Sequence, residues 1–115
     1  MAETTRQQKV SRQIQRDVSD IFLREGAHLV RGSMASVTAV RVSPDLSFAK
    51  IYLSIFPFGN SGKIMETLEE NVWLVRKALG TRIKHQLRQV PEIAFALDDS
   101  LEYLENIDNL LKADK

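Results

Sequence analysis

The stretch VTAVRVSPDLSFAKIYLSIF, residues 37–56, does most to restrict the fold. Val37 to Ser43 is rich in β-branched residues. From Phe48 to Phe56, Ala49, Ile51, Leu53 and Ile55 alternate with Phe48, Lys50, Tyr52 and Ser54. Period-two alternation is the mark of a strand with one buried face. Between the two runs stands Pro44-Asp45-Leu46-Ser47, where proline presets the turn and Asp and Ser can bond nearby amides. The expectation is an antiparallel hairpin. Arg41 and Lys50 make one of its faces partly polar, so the sheet should be covered on one side only.

Everything else must supply that cover. Val10, Ile14, Val18, Ile21 and Phe22 give Thr4 to Glu25 one apolar helical stripe, and Gly26 is placed as its C′ residue. Gly26 to Ser36 shows no period and reads as a connection. Pro57 ends the second strand, and Asn60 or Ser61 is a candidate cap for the next helix. Ile64, Leu68, Val72, Val75 and Leu79 form its stripe, which resumes after Gly80 through Ile83 and Leu87 until Pro91. A helix broken at Gly80 is the expectation, because glycine inside a helix costs roughly 1 kcal/mol relative to alanine. Ile93, Phe95 and Leu97 alternate with Ala94 and Ala96 as a third strand. Asp98 or Asp99 can cap a last helix with Leu101, Leu104, Ile107 and Leu111 along one edge, and Asp99 with Glu102 has capping-box spacing. The order is α-β-β-α-break-α-β-α, an α+β domain over 1–98 with an acidic helix over 99–115.

The 115 residues hold no cysteine, which excludes disulfides, thiolate metal sites and thiol nucleophiles. No apolar run approaches the roughly 20 residues of a membrane span. The opening MAETTRQQK has no apolar h-region, so no secretory signal is expected and the location expected is cytoplasmic. His28 and His85 lack ligand-spaced partners, and no P-loop or dinucleotide-type glycine loop occurs. Capping explains Asp98-Asp99 better than a catalytic pair does. Neither catalytic residue, metal nor cofactor is expected.

Net charge is only +1, yet it is unevenly spread. Residues 1–91 hold 14 Lys/Arg and 8 Asp/Glu, and residues 92–115 hold 2 and 7. A basic body with an acidic end points to nucleic-acid contact through the body. Lys9, Arg12 and Arg16 fall within one ~60° arc of the first helix, opposite Val10, Ile14 and Ile21. Arg76, Lys77, Arg82, Lys84 and Arg88 form a second cluster without an acid, with His85 among them. A solvated face explains either group; phosphate contact is the sharper reading. Trp73 and Tyr52 are candidate stacking platforms, though Trp73, beside Val72 and Val75, is placed at the border of the core.

The hairpin, with VRKALGTRIKHQLRQVPEIAFALDDS (75–100) and RQQKVSRQIQRDVSDIF (6–22), resembles the ribosome-binding factor A family across almost the whole chain. The resemblance implies a single K-homology (KH) type II domain in which an Ala-x-Gly kink replaces the GxxG clamp. Here that kink is assigned to Ala78-Leu79-Gly80. The connection from Gly26 to Ser36 departs from the family's pattern, lacking an Asp-Pro-Arg-like element. The resemblance also implies a monomeric, non-enzymatic assembly factor. It would bind the immature small ribosomal subunit and its rRNA, beside ribosomal proteins and other assembly factors, and aid late rRNA processing, above all in the cold. The alternative is a protein-interaction module without a direct RNA role.

Overall fold

The computed structural model describes residues 4–98. The hairpin is present: β1 (Met34–Val42) pairs antiparallel with β2 (Phe48–Phe56). β1 starts three residues before Val37. Asp45 builds the turn, accepting from the Ser43 and Ser47 hydroxyls (2.8 and 2.7 Å) and from the Ser47 amide (3.1 Å). These bonds lower the Asp45 pKa, the Ser47 hydroxyl contributing most. Leu46 takes a left-handed φ of 62°.

The alternation of β1 does not run unbroken. Val37 pairs with Leu53 and Ala39 with Tyr52, so Thr38 is the extra residue of a β-bulge. The bulge resets the parity, burying Val37, Val40 and Val42 while Arg41 faces out. Without it, Arg41 would share a face with Val37. Thr38 Oγ1 donates to Asp98 Oδ2 (2.7 Å), joining β1 to the end of the third strand.

That strand, β3 (Glu92–Leu97), lies parallel to β2, giving the order β1-β2-β3. A parallel neighbour requires a crossover. It is made by α2 (Ser61–Glu70) and α3 (Val72–Ile83), after the cis Phe56–Pro57 bond. With α1 (Thr5–Leu23) they cover one face of the sheet. Ile14, Val18 and Ile21 of α1, Ala49, Ile51 and Leu53 of β2, and Leu68, Val75 and Leu79 of α2 and α3 are sealed from solvent. Each fully buried Val, Leu or Ile side chain stabilises by about 1.5–3 kcal/mol. The opposite face bears Lys50, with its Nζ 5.3 Å from the Tyr52 ring centre, and half-buried Ala94 and Ala96. One-sided cover, as the charges of Arg41 and Lys50 imply, is what forms over the described residues. The acidic segment 99–115, with its expected cap and helix, lies outside them.

Two expected local features are corrected. Gly26 is not a left-handed C′ residue: its φ is −100°, and its amide donates to the Ile21 carbonyl (2.7 Å) before a 3-10 turn, Ala27–Val30. That turn buries Leu29 and Val30, so the connection is partly core. The interhelical break expected at Ala78 and Gly80 lies instead at Asn71, and α3 runs through Gly80 to Ile83. Asn71 has φ −120° and ψ 23°, and its Nδ2 donates to the Thr67 carbonyl (2.8 Å), capping α2. Gly80 answers a different need. A Cβ there would lie 2.8 Å from Val90 Cγ2, so glycine admits the segment that returns to β3.

Candidate nucleic-acid interface

α1 carries the basic arc because its other side is committed to the core. Its N-terminus is fixed by Thr4, whose Oγ1 accepts from the Gln7 amide (3.1 Å) while Gln7 Oε1 accepts from the Thr4 amide (2.8 Å). Buried Gln7 then donates from Nε2 to the Val42 carbonyl (2.9 Å), tying the helix to β1. The Thr4-x-x-Gln7 spacing of this capping box is present in the sequence.

On the exposed side, Arg6, Lys9, Arg12 and Arg16 line a groove of about 730 Å³ with Val10, Gln13, Gln15, Gln86 and Leu87. Its lining holds four cations and no carboxylate. Arg16 is oriented by a relay: its Nη2 donates to Gln13 Oε1 (2.9 Å), and Gln13 Nε2 donates to Asp17 Oδ1 (3.0 Å). Lys9 and Arg12 are exposed and form no ion pair among the described residues. Arg6, one turn before Lys9, belongs to this row although the sequence reading passed over it. Its position three residues ahead of Lys9 was the available signal.

Arg6, Gln86 and Leu87 also line an adjoining cleft with Arg88 and the hairpin turn Asp45-Leu46-Ser47. Arg88 therefore joins the α1 row. The rest of the second cluster disperses. Arg76 donates from Nε to the Pro91 carbonyl (3.0 Å) and from Nη2 to the Val90 carbonyl (2.8 Å), holding the strand entry. Arg82 spans α3 and α1, with Nη1 2.6 Å from Asp20 Oδ2 and Nη2 2.7 Å from Glu25 Oε2. The Arg82 hydrogen bonds are the largest cause lowering the pKa of both carboxyls. Lys77 faces a separate groove, and Lys84 is exposed one residue beyond α3. No group of three or more His, Asp or Glu that could hold a metal ion occurs among the described residues.

Comparison with known proteins gives this geometry its context. The family model described as Ribosome-binding factor A matches residues 6–111. Ribosome-binding factor A of Cytophaga hutchinsonii is 44% identical over 95% of this chain and 82% of its own. That of Flavobacterium psychrophilum is 42% identical over 95% of this chain and 85% of its own. The chain belongs to the ribosome-binding factor A family. The crystal structure of the Thermus thermophilus ribosome-binding factor A shares its fold, with a TM-score of 0.67 at 20% identity, covering 79% of this chain and 94% of that one. A second neighbour, with a TM-score of 0.55 at 20% identity, is a T. thermophilus homology model fitted into a cryo-EM map of a 30S complex; it covers 76% of this chain and 90% of its own. The mixed α+β, KH-like domain implied by the family resemblance is thus the fold observed, with the break between its helices moved to Asn71.

Proposed function

We propose that this ribosome-binding factor A family member binds the immature small ribosomal subunit by laying the α1 row against rRNA phosphates. The observation that carries the reading is the groove with four cations and no carboxylate, held on a helix fixed at its start by Thr4, Gln7 and Val42. Arg6, Lys9, Arg12 and Arg16 reach phosphate oxygens, and Arg88 continues the line beside the hairpin turn. Such contacts position a protein on folded RNA without reading sequence. Lys77 and Lys84 are auxiliary contacts, while Arg76 and Arg82 shape the surface through their internal bonds. The family relatives are named for ribosome binding, and one structural neighbour was fitted into a 30S complex. The role that follows is a cytoplasmic, non-enzymatic assembly factor acting late in rRNA maturation, with its largest effect in the cold.

Reversing Lys9, Arg12 and Arg16 to Glu in one chain tests this. Loss of co-sedimentation with small subunits, with an unchanged far-UV spectrum, is expected; undiminished co-sedimentation overturns the assignment. Arg82 is unsuitable for such a test, because reversing it would leave Asp20 and Glu25 facing a third carboxylate.

A further inference from the structure

Trp73 is the chain's one tryptophan, and 63% of it is exposed. Its place on α3 is a correction to the border-of-core expectation: Val75, Leu79 and Ile83 take the buried side of that helix, and the indole stands off it. Beside it runs a groove of about 600 Å³ between α3 and the end of α1. Leu74 and Ala78 give it apolar walls. Its two carboxylates are already neutralised, Asp20 by Arg24 and Arg82 and Glu25 by Arg82. Lys77 is exposed one turn after Trp73 and forms no ion pair among the described residues.

Both grooves lie along α1: Arg16 lines the first, and Asp20, one turn further on the same helix, lines the second. A strand of RNA that continues past Arg16 along α1 crosses the paired Asp20–Arg82–Glu25 cluster and then reaches the groove that carries the exposed indole and Lys77. Base–aromatic stacking needs a flat, accessible π-face, and a neighbouring cation holds the adjoining phosphate.

We propose that Trp73 is a stacking platform for an unpaired base of the bound RNA, with Lys77 on the adjoining phosphate. The proposal rests on the RNA-binding reading above and adds to it a preference for single-stranded RNA at the α3 end of the track. A protein partner would use the same apolar walls. The continuity with the cationic row and the neutralised carboxylates favour RNA.

Trp73, as the sole tryptophan, is its own reporter. Protein-free small-subunit rRNA and a short single-stranded RNA oligomer should each quench its emission. The same oligomer annealed to its complement should leave the emission unchanged. Trp73→Ala should weaken binding of the single strand at least about five-fold by filter retention, and Trp73→Phe should recover most of that loss. The salt dependence of Trp73→Ala should match wild type, because no phosphate contact is removed. Unchanged emission while filter retention shows RNA bound overturns the platform and leaves the α1 row standing. So does equal affinity of Trp73→Ala and wild type, equal quenching by duplex, or a response to the subunit's proteins but not its rRNA. Failure of wild type to retain any RNA on the filter overturns the RNA-binding reading and the platform with it.

Discussion

Arg82 and Gly80, two residues apart on α3, face different demands. Arg82 binds Asp20 and Glu25 at once, and both carboxyls give up their protons more readily in the folded chain than at their ordinary values of 3.8 and 4.5. The native state therefore binds fewer protons than the unfolded one. The stability this contributes is full above those ordinary values and is lost as pH falls through the lowered folded values. Arg82→Gln should flatten the acid limb of a plot of urea midpoint against pH, the two curves converging at the most acidic end. Parallel curves would show that the cluster does not couple to folding. Gly80 has a separate test. Alanine there gains roughly 1 kcal/mol of helix propensity, but its Cβ meets Val90 Cγ2 at 2.8 Å, and such overpacking costs about 1–3 kcal/mol. Gly80→Ala should be destabilising in the native background and stabilising in a Val90→Ala background, read as a double-mutant cycle of urea midpoints. At this scale the sequence was a poor guide. The glycine was visible but its neighbour ten residues on was not, and the Arg82–Glu25 contact joins positions 57 apart. Local spacing carries no trace of either.

Elements were more legible where one face alone is buried. Ala49, Ile51, Leu53 and Ile55 of β2 and Ile14, Val18, Ile21 and Phe22 of α1 are buried as their spacing implies, while Ser54, Gln7 and Ser11 are buried with them and Val10 is only half-buried. The α2–α3 break was hidden for a geometric reason. Leu68 and Val75, the buried residues on either side, are seven apart, close to two helical turns, so the stripe crosses Asn71 without losing phase. Gly80 then drew the break toward itself. What ends α2 is a side-chain bond that competes with the ladder, Asn71 Nδ2 to the Thr67 carbonyl. Asn71→Ala should destabilise the chain by about 1 kcal/mol in urea unfolding, the ordinary net worth of such a bond. A variant as stable as wild type would place the break in the packing alone. Gln7 matters to α1 in a comparable way. Gln7→Leu removes both the capping contact and the partner of the Val42 carbonyl, and a loss of about 1–3 kcal/mol is expected in the same assay.

For the whole molecule, the division of charge was legible and its destination only partly so. A basic body and an acidic end follow from counting, and the row of Arg6, Lys9, Arg12 and Arg16 follows from helical spacing; that Arg88 joins it while Arg76 and Arg82 turn inward follows only from the fold. This separates two accounts of RNA affinity. If net charge governs, any single reversal of a lysine acts alike, since each takes the chain from +1 to −1. If the α1 row governs, position decides. Lys9 lines the cationic groove, whereas Lys63, on α2, lies with His28, Arg31 and Asn60 and lines neither α1 groove. Lys9→Glu should lower the slope of log affinity against log salt by about 0.7–0.9, one phosphate contact, and Lys63→Glu should leave it as in wild type. The measurement is filter retention of small-subunit rRNA across a salt series. Equal changes in slope for the two variants would assign the binding to the overall field and remove α1 as its seat.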